Sequence, residues 1–302
     1  MSQLDFNRRV AIVTGAGNGM GRCHALMLAS RGCRVVVNDL SKEASDKVVA
    51  EIEAAGGIAA SDNHNVVTQA QQAVRTAIDH FGQLDILVNN AGTWIGTSFE
   101  ETSPATYDAC FDVSYKGTVE MCRAAWPHLK ASGTGRIINI SSSGSLGNAG
   151  LTSYGSAKAA VLGFTKSLAD ESAEHGIMVN ALLPTARTSM TENIKDEFAM
   201  NTLNKFFDPS HVSAMVSWLC HQDTKVNNEA IRVGGGTAAR IFFSQMPMVR
   251  AEEMTPETWA NQADDLLKDG ELTPLVSCAD LFGRELVDAD PDTEFDSASL
   301  GF

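Results

Sequence analysis

The pair Tyr154 and Lys158 is the feature of this sequence best suited to proton chemistry. The chain has three tyrosines, and Tyr154 is the one with a lysine four residues later. On a helix this spacing places both side chains on one face, where an ammonium group favours the phenolate form. A free phenol with a pKa of about 10 is a poor base at neutral pH, and a fixed cation brings that pKa toward the working range. The pair predicts a catalytic base, although a surface tyrosine and lysine would match the same spacing.

A glycine-rich segment follows the first predicted strand. The apolar run 9–15 passes into Gly15, Gly17, Gly19 and Gly21, and a helical stretch begins at Met20. Glycines at such a junction allow a tight turn and close approach of the backbone to a pyrophosphate, and the helix N-terminus offers free N–H groups. The order of strand, turn and helix predicts a dinucleotide site, and a simple turn is the alternative. The predicted contacts from this loop are Gly15, Asn18, Gly19 and Met20.

Asp39 ends the second predicted strand, 33–39, and lies 24 residues after Gly15. An acid in this place can bond the ribose hydroxyls of the adenosine and repel a 2′-phosphate. Lys42 is the only nearby base. The position therefore predicts NAD rather than NADP, and a solvated carboxylate at a strand end is the alternative.

The elements that must position these residues alternate between strand and helix. Helices are predicted at 42–55, 67–81, 104–131, 152–175 and 209–221, and strands begin near residues 57, 84, 135, 177 and 230. This alternation predicts an α/β fold with a doubly wound parallel sheet. Such a sheet binds its ligand beyond the carboxyl ends of the strands. The residues predicted at that edge are Gly15, Asp39, Asn90, Ser142 and Pro184.

Four motifs in order resemble the classical short-chain dehydrogenase/reductase family over residues 8 to 236. They are Thr14-Gly15-x-x-x-Gly19-x-Gly21, Asn89-Asn90-Ala91-Gly92, a serine cluster after 136–140, and Tyr154-x-x-x-Lys158. The resemblance implies one Rossmann-type domain with NAD(P)-linked alcohol or ketone chemistry. A narrower resemblance, carried by 36–39, 123–128, 190–191, 218–221 and 233–236, is to the dehydrogenase unit of peroxisomal multifunctional enzyme type 2 and its stand-alone bacterial relatives. That branch implies (3R)-hydroxyacyl-CoA or 17β-hydroxysteroid substrates.

The family resemblance assigns roles to individual residues. Tyr154 would be the base, Lys158 would lower its pKa and bind the nicotinamide ribose, and a serine would orient the substrate oxygen. Counting back from Tyr154 selects Ser141 as that serine, whereas counting along the preceding strand selects Ser142, which we prefer because a loop absorbs a deletion more readily than a central strand. Further cofactor contacts implied are Asp62, Asn63, Asn90, Ala91, Gly92 and Pro184.

Two departures from the family pattern concern the site. Ser114 stands where the family usually has the asparagine of a proton relay, which puts that relay in question. The multifunctional-enzyme branch also departs from asparagine there. Thr185 follows Pro184 where the wider family usually has glycine.

The charge of the chain is concentrated near its end. The net charge is −14, of which residues 251–302 carry −12 and residues 1–250 carry −2. No basic stripe appears, which argues against nucleic-acid binding. We expect a catalytic domain over 1–250 and an acidic extension over 251–302 with helices at 255–269 and 274–287. This extension would pack against a neighbouring subunit of a homodimer or homotetramer, or close one side of the substrate cleft.

The remaining sequence signals favour a cytoplasmic protein without a metal site. The six cysteines show no CxxC pairing or cluster with histidine, so no metal site is expected. No apolar run reaches membrane-spanning length, residues 1–9 lack a signal-peptide pattern, and the last three residues are not Ser-Lys-Leu. His128 and His221 are expected to be structural.

The substrate stays open at this level. The loops 93–102, 144–152 and 185–209 are moderately apolar, and Lys195 and Lys205 could meet phosphates of coenzyme A or be solvated. A hydroxysteroid, a hydroxyacyl-CoA and a smaller cyclic alcohol all fit. A protein that senses NAD without turnover is the alternative from a different class.

Overall fold

The first unit of the chain is built on one eight-stranded sheet. The structure is a computed structural model that describes residues 3–188, 191, 195–251 and 253–289. The strands lie in the order β3-β2-β1-β4-β5-β6-β7-β8, and β1 to β7 pair in parallel. Their ranges are β1 (Val10–Thr14), β2 (Arg34–Asn38), β3 (Ile58–Asp62), β4 (Ile86–Asn89), β5 (Arg136–Ile140), β6 (Met178–Pro184), β7 (Ala230–Gly234) and β8 (Thr237–Ile241).

Helices cover both faces of this sheet. They are α1 (Gly19–Ala29), α2 (Lys42–Ala54), α3 (Ala70–Phe81), α4 (Pro104–Phe111), α5 (Gly117–Ser132), α6 (Thr152–Ser172), α7 (Glu197–Phe206) and α8 (Pro209–Cys220). Along β1, Ala11 and Val13 join the core under α1, α2 and α8, while Val10 and Ile12 join the core under α3, α5 and α6. Burial on both faces explains why the strands read as continuous apolar runs. The predicted doubly wound, Rossmann-type α/β fold is confirmed.

The helices predicted from periodicity are present, with two differences. The predicted helix 104–131 is interrupted by a π-helical turn at Asp112–Lys116, which separates α4 from α5. Helix α7 was not predicted, although Asp196 caps its start by accepting a hydrogen bond from Ala199 N at 2.7 Å. Leu203 is the buried residue of this helix, and its other side chains are partly or fully exposed.

The direction of winding creates a crevice at one edge of the sheet. From β1 the chain adds β2 and β3 on one side, and then returns to place β4 on the other side of β1. The carboxyl ends of these parallel strands meet there, with Thr14 beside Asn38 and Asn89 beside Asn139. Such a switch point is where open α/β sheets bind their ligands.

The chain divides into two compact units, 1–240 and 241–302, ten residues before the boundary expected from charge. In the second unit, β9 (Ser244–Gln245) pairs antiparallel with β10 (Thr273–Pro274). The predicted helix 255–269 is two shorter helices, α9 (Pro256–Asn261) and α10 (Ala263–Leu266), and the later helix is α11 (Cys278–Ala289). The role of this unit stays a prediction.

Within the described residues, no helix combines the length and apolar character needed to cross a bilayer. Those residues also contain no group of three or more histidine, cysteine, aspartate or glutamate side chains that could hold a metal ion. All six cysteines are free thiols.

Candidate active site

Tyr154 and Lys158 lie one turn apart at the start of α6. The Lys158 ammonium is 5.8 Å from the centre of the Tyr154 ring, and Nζ donates a 2.7 Å hydrogen bond to the carbonyl of Ile140 at the end of β5. Lys158 is buried. The helical spacing and the strand end together hold the lysine beside the phenol.

Burial dominates the electrostatics of this pair. It raises the pKa of Tyr154 above its ordinary value, and the nearby hydroxyl of Ser142 acts in the opposite direction. Burial also lowers the pKa of Lys158 to about 8. The protein by itself therefore keeps Tyr154 protonated at neutral pH, and Lys158 does not produce the expected lowering of the Tyr154 pKa in the protein alone.

The two candidate serines differ in what their hydroxyls do. Ser141 is buried, and its Oγ donates a 2.8 Å hydrogen bond to the backbone carbonyl of Lys158. Ser142 accepts a 3.0 Å hydrogen bond from Gly144 N and contacts Tyr154. The geometry favours Ser142 as the serine that faces a substrate, because the Ser141 hydroxyl is engaged in holding α6.

Ser114 lies at the centre of the π-helical turn. Its Oγ is buried and has no hydrogen-bond partner among the described residues. A Cβ added at Gly92 would be 3.4 Å from this Oγ and 3.1 Å from Lys158 Nζ. Ser114 and Lys158 therefore flank the same glycine, so the sequence-predicted residue does reach the site.

The glycine loop is packed against the segment that follows β4. Gly15 has a φ of +61°, and a Cβ there would be 2.9 Å from Ala91 Cα. A Cβ at Gly21 would be 2.2 Å from Gly15 O. Asn90 fastens the two segments, since its Nδ2 donates to Thr14 O at 2.9 Å and to Gly15 O at 3.0 Å. Glycine is needed at both positions for the loops to approach, and the Asn90 side chain serves the loop.

Asp39 is held at the end of β2 by two backbone groups. Its Oδ2 accepts from Gly17 N at 2.9 Å and its Oδ1 accepts from Ser41 N at 3.0 Å. Beside it is a cavity of about 200 Å³ lined by Gly15, Asn38, Asp39, Leu40, His64, Asn65, Val66, Val67, Ala91, Gly92 and Val113. No lysine or arginine is among these lining residues, so the described part of the cavity suits uncharged ribose hydroxyls.

A larger cleft of about 790 Å³ brings the predicted chemical groups together. Tyr154, Lys158 and Ser142 border it, along with Asn90, Gly92 and Pro184. Its walls beyond these are Met20, Trp94, Gly96, Thr97, Ser98, Glu101, Ile140, Ser141, Ser143, Gly144, Asn148, Ala149, Gly150, Leu151, Thr185, Ala186, Thr188 and Thr191. A phenol, an ammonium and a hydroxyl at one cleft can move a proton to or from a substrate oxygen.

The family model described as short chain dehydrogenase matches residues 9–199. The chain belongs to the short-chain dehydrogenase family. Peroxisomal multifunctional enzyme A of Dictyostelium discoideum is 38% identical over 264 residues, covering 84% of this chain and 59% of that protein. Peroxisomal multifunctional enzyme type 2 of Mus musculus is 38% identical over 270 residues, covering 85% of this chain and 36% of that protein. The chain thus spans less than two thirds of these longer relatives, and the resemblance to their dehydrogenase branch is confirmed.

Solved structures give the same family. A short-chain dehydrogenase from Mycobacterium avium superposes with a TM-score of 0.79 at 36% identity, covering 92% of this chain and 100% of that one. A 7α-hydroxysteroid dehydrogenase complexed with NADH and 7-oxo glycochenodeoxycholic acid superposes with a TM-score of 0.71 at 28% identity, covering 78% of this chain and 95% of that one.

Three residues predicted to contact the cofactor, Asp62, Asn63 and Asn18, line neither cavity of this short-chain dehydrogenase. Asp62 is buried, where Oδ1 accepts from Thr76 Oγ1 at 2.7 Å and Oδ2 accepts from Asn38 Nδ2 at 2.5 Å. Asn63 and Asn18 are exposed and line neither cavity. The Asp62 carboxylate already accepts hydrogen bonds from Asn38 and Thr76. His64 and Asn65 line the smaller cavity, and Asp62 does not.

Sequence reasoning did not single out several cleft residues of the dehydrogenase. Glu101, Asn148, Thr188 and Thr191 line the larger cleft, within the loops that were expected to shape the pocket. They lie in loops after the strands, where no periodicity marks which side chain points inward. Lys195 and Lys205, considered as phosphate contacts, are not among the lining residues, and neither is His128 or His221.

Proposed function

We propose that this protein catalyses the reversible, NAD-dependent interconversion of a secondary alcohol and a ketone. The observation that carries the proposal is the convergence of Tyr154, Ser142 and Lys158 on one cleft. Membership of the short-chain dehydrogenase family supports the same reaction class.

The residues present fit a dinucleotide cofactor. The Gly15 turn lacks the side chains that would fill the space near Ala91, and the Asp39 carboxylate borders a cavity sized for part of a nucleoside. Asp39 would accept hydrogen bonds from the ribose hydroxyls and repel a 2′-phosphate, which favours NAD over NADP. Lys158, Gly92 and Pro184 border the larger cleft, where the nicotinamide end would lie and supply or accept the hydride.

The protein side of the mechanism is proton transfer. Ser142 orients the substrate oxygen and stabilises the charge that develops on it. In ketone reduction, Tyr154 donates its phenolic proton to that oxygen, and its raised pKa keeps that proton in place before the reaction. In alcohol oxidation, Tyr154 must accept a proton, so the Lys158 ammonium and the positive charge of the oxidised cofactor must lower its pKa. Ser114, with its unpartnered hydroxyl beside Gly92, is proposed as the polar neighbour of Lys158.

The substrate chemistry follows from the branch that the chain resembles. A hydroxyacyl thioester or a hydroxysteroid fits a cleft of about 790 Å³ with apolar walls at Trp94 and Leu151. The deciding experiment is a screen by NADH absorbance with NAD or NADP over steroid alcohols, (3R)-hydroxyacyl thioesters and simple cyclic alcohols. Binding of NAD without turnover of any substrate would favour a silent NAD-sensing protein and overturn the proposed activity.

A further inference from the structure

The charges of the cleft bear on which alcohol can enter it. Lys158 and Glu101 are the two charged side chains that line the described part of the cleft. Lys158 is buried and donates a hydrogen bond to Ile140 O, so its charge lies at the inner end of the cleft beside Tyr154. Glu101 is exposed, which places it at the mouth. Among the lining residues, the formal charge at the described mouth is therefore that of Glu101, which is negative.

The residues that line the described cleft include no base other than Lys158. Lys205 lies with its Nζ 5.0 Å over the ring of Phe206, and neither it nor Lys195 lines the cleft. Arg187 is exposed between the lining residues Ala186 and Thr188 but does not itself line the described cleft, so Glu101 is the charged lining residue that a phosphate group would meet at the mouth.

The Glu101 carboxylate is fixed by its loop. The Ser98 hydroxyl donates a 2.7 Å hydrogen bond to Oε2, and the Ser98 carbonyl accepts from Glu101 N at 3.2 Å and from Thr102 Oγ1 at 2.7 Å. Thr97 N donates to Gly150 O at 3.1 Å, which ties this turn to the facing wall of the cleft. The hydrogen bond from Ser98 therefore restrains the position of the Glu101 carboxylate.

We propose that Glu101 is a specificity determinant that disfavours substrates carried on a polyanionic group. The enzyme would then act on uncharged secondary alcohols and ketones in preference to coenzyme A thioesters. This inference rests on the proposed dehydrogenase function. A fixed carboxylate at a cleft mouth repels anions over roughly 10 Å at moderate salt, and low-dielectric walls focus that field. Uncharged ligands escape the penalty, and they match the neutral polar wall formed by Thr97, Ser143 and Asn148.

The test compares two ketones that share one reacting group. Reduction of acetoacetyl-CoA and of acetoacetyl-N-acetylcysteamine is followed with NADH at low ionic strength, and the readout is the ratio of their kcat/KM values. Glu101→Gln should shift this ratio toward the CoA thioester by about fivefold, mainly through KM for acetoacetyl-CoA, and Glu101→Lys should shift it further. Raising the salt concentration should shrink the shift, because ions screen exposed charges.

Glu100→Gln is the matched control, because Glu100 is an adjacent exposed carboxylate that does not line the cleft. It should leave the ratio unchanged. An unchanged ratio in Glu101→Gln, or an equal shift in Glu100→Gln, would overturn the inference while leaving the dehydrogenase activity intact. If the thioesters are inert and an uncharged ketosteroid is reduced, the same comparison is made between that ketosteroid and its sulfate ester. Failure to reduce any ketone overturns this inference and the proposed function together.

Discussion

The cofactor half and the substrate half of the candidate site are built in different ways. The cofactor half is made of backbone at strand ends, where Gly15 packs on Ala91 and Asp39 is held by Gly17 N. The substrate half is made of loop side chains, such as Trp94, Glu101 and Asn148. Backbone geometry at strand ends constrains residue type strongly, whereas a loop wall tolerates many side chains. The residues of the cofactor half therefore indicate the class of reaction, and those of the substrate half determine which substrate is accepted.

Tyr154 lies where the two halves meet, and its loss should have the largest effect. Tyr154→Phe keeps the ring and removes the proton donor and acceptor, so kcat should fall at least about 1,000-fold while the Kd for NAD stays within about twofold. Steady-state kinetics and NAD titration measure these quantities. Tyr107→Phe is the control and should retain activity. A Tyr154→Phe enzyme with a tenth of the original kcat would remove Tyr154 from the mechanism.

The adjacent serines should separate catalysis from stability. Ser142→Ala should lower kcat about 100-fold, because a group that stabilises the substrate oxygen is lost. Ser141→Ala should have a smaller effect on kcat and should lower the free energy of unfolding by about 1 kcal/mol, because its bond to Lys158 O is lost. Kinetics and urea unfolding of both variants test this. Equal, mild losses of kcat would exclude both hydroxyls from the reaction.

His24 should reveal how the helix behind the glycine loop responds to acid. It is fully buried with Nδ1 2.7 Å from Ser213 Oγ, and burial lowers its pKa to about 3. Below the unfolded pKa of about 6.5 the unfolded chain binds a proton that the folded protein excludes, so the stability present above pH 6.5 decreases as pH falls toward 3. The decrease attributable to His24 should be about 2 kcal/mol at pH 5.

The measurement for His24 is urea unfolding between pH 7 and pH 5. The His24→Gln variant should lose about 2 kcal/mol less stability than the unsubstituted protein over this range, whatever its stability at pH 7. His211→Gln, at an exposed position on α8, is the control and should follow the unsubstituted protein. Parallel curves for His24→Gln and the unsubstituted protein would show that His24 does not drive the pH dependence.

Asp39 should give the smallest of these effects and the cleanest test of the cofactor half. The value of kcat/KM with NAD should exceed that with NADP by at least about tenfold, equivalent to about 1.4 kcal/mol. Asp39→Ala should shrink the ratio by removing the charge that repels a 2′-phosphate. Asp46→Ala, which removes an exposed acid of α2, should leave the ratio unchanged. Equal use of both cofactors by the unsubstituted enzyme would refute this role for Asp39.

The sequence by itself determined the alternation of strands and helices, the glycine turn and the Tyr154–Lys158 pair. Each depends on contacts within a few residues along the chain, on periodic burial or on helical spacing, so local pattern is enough. Tertiary structure alone decided which serine faces the phenol, that Asp62 is saturated by Asn38 and Thr76, and that Glu101 borders the cleft. These features depend on distances between segments that are far apart in sequence. Local sequence patterns do not distinguish such side chains from their neighbours, whereas the hydrogen bonds formed on folding do.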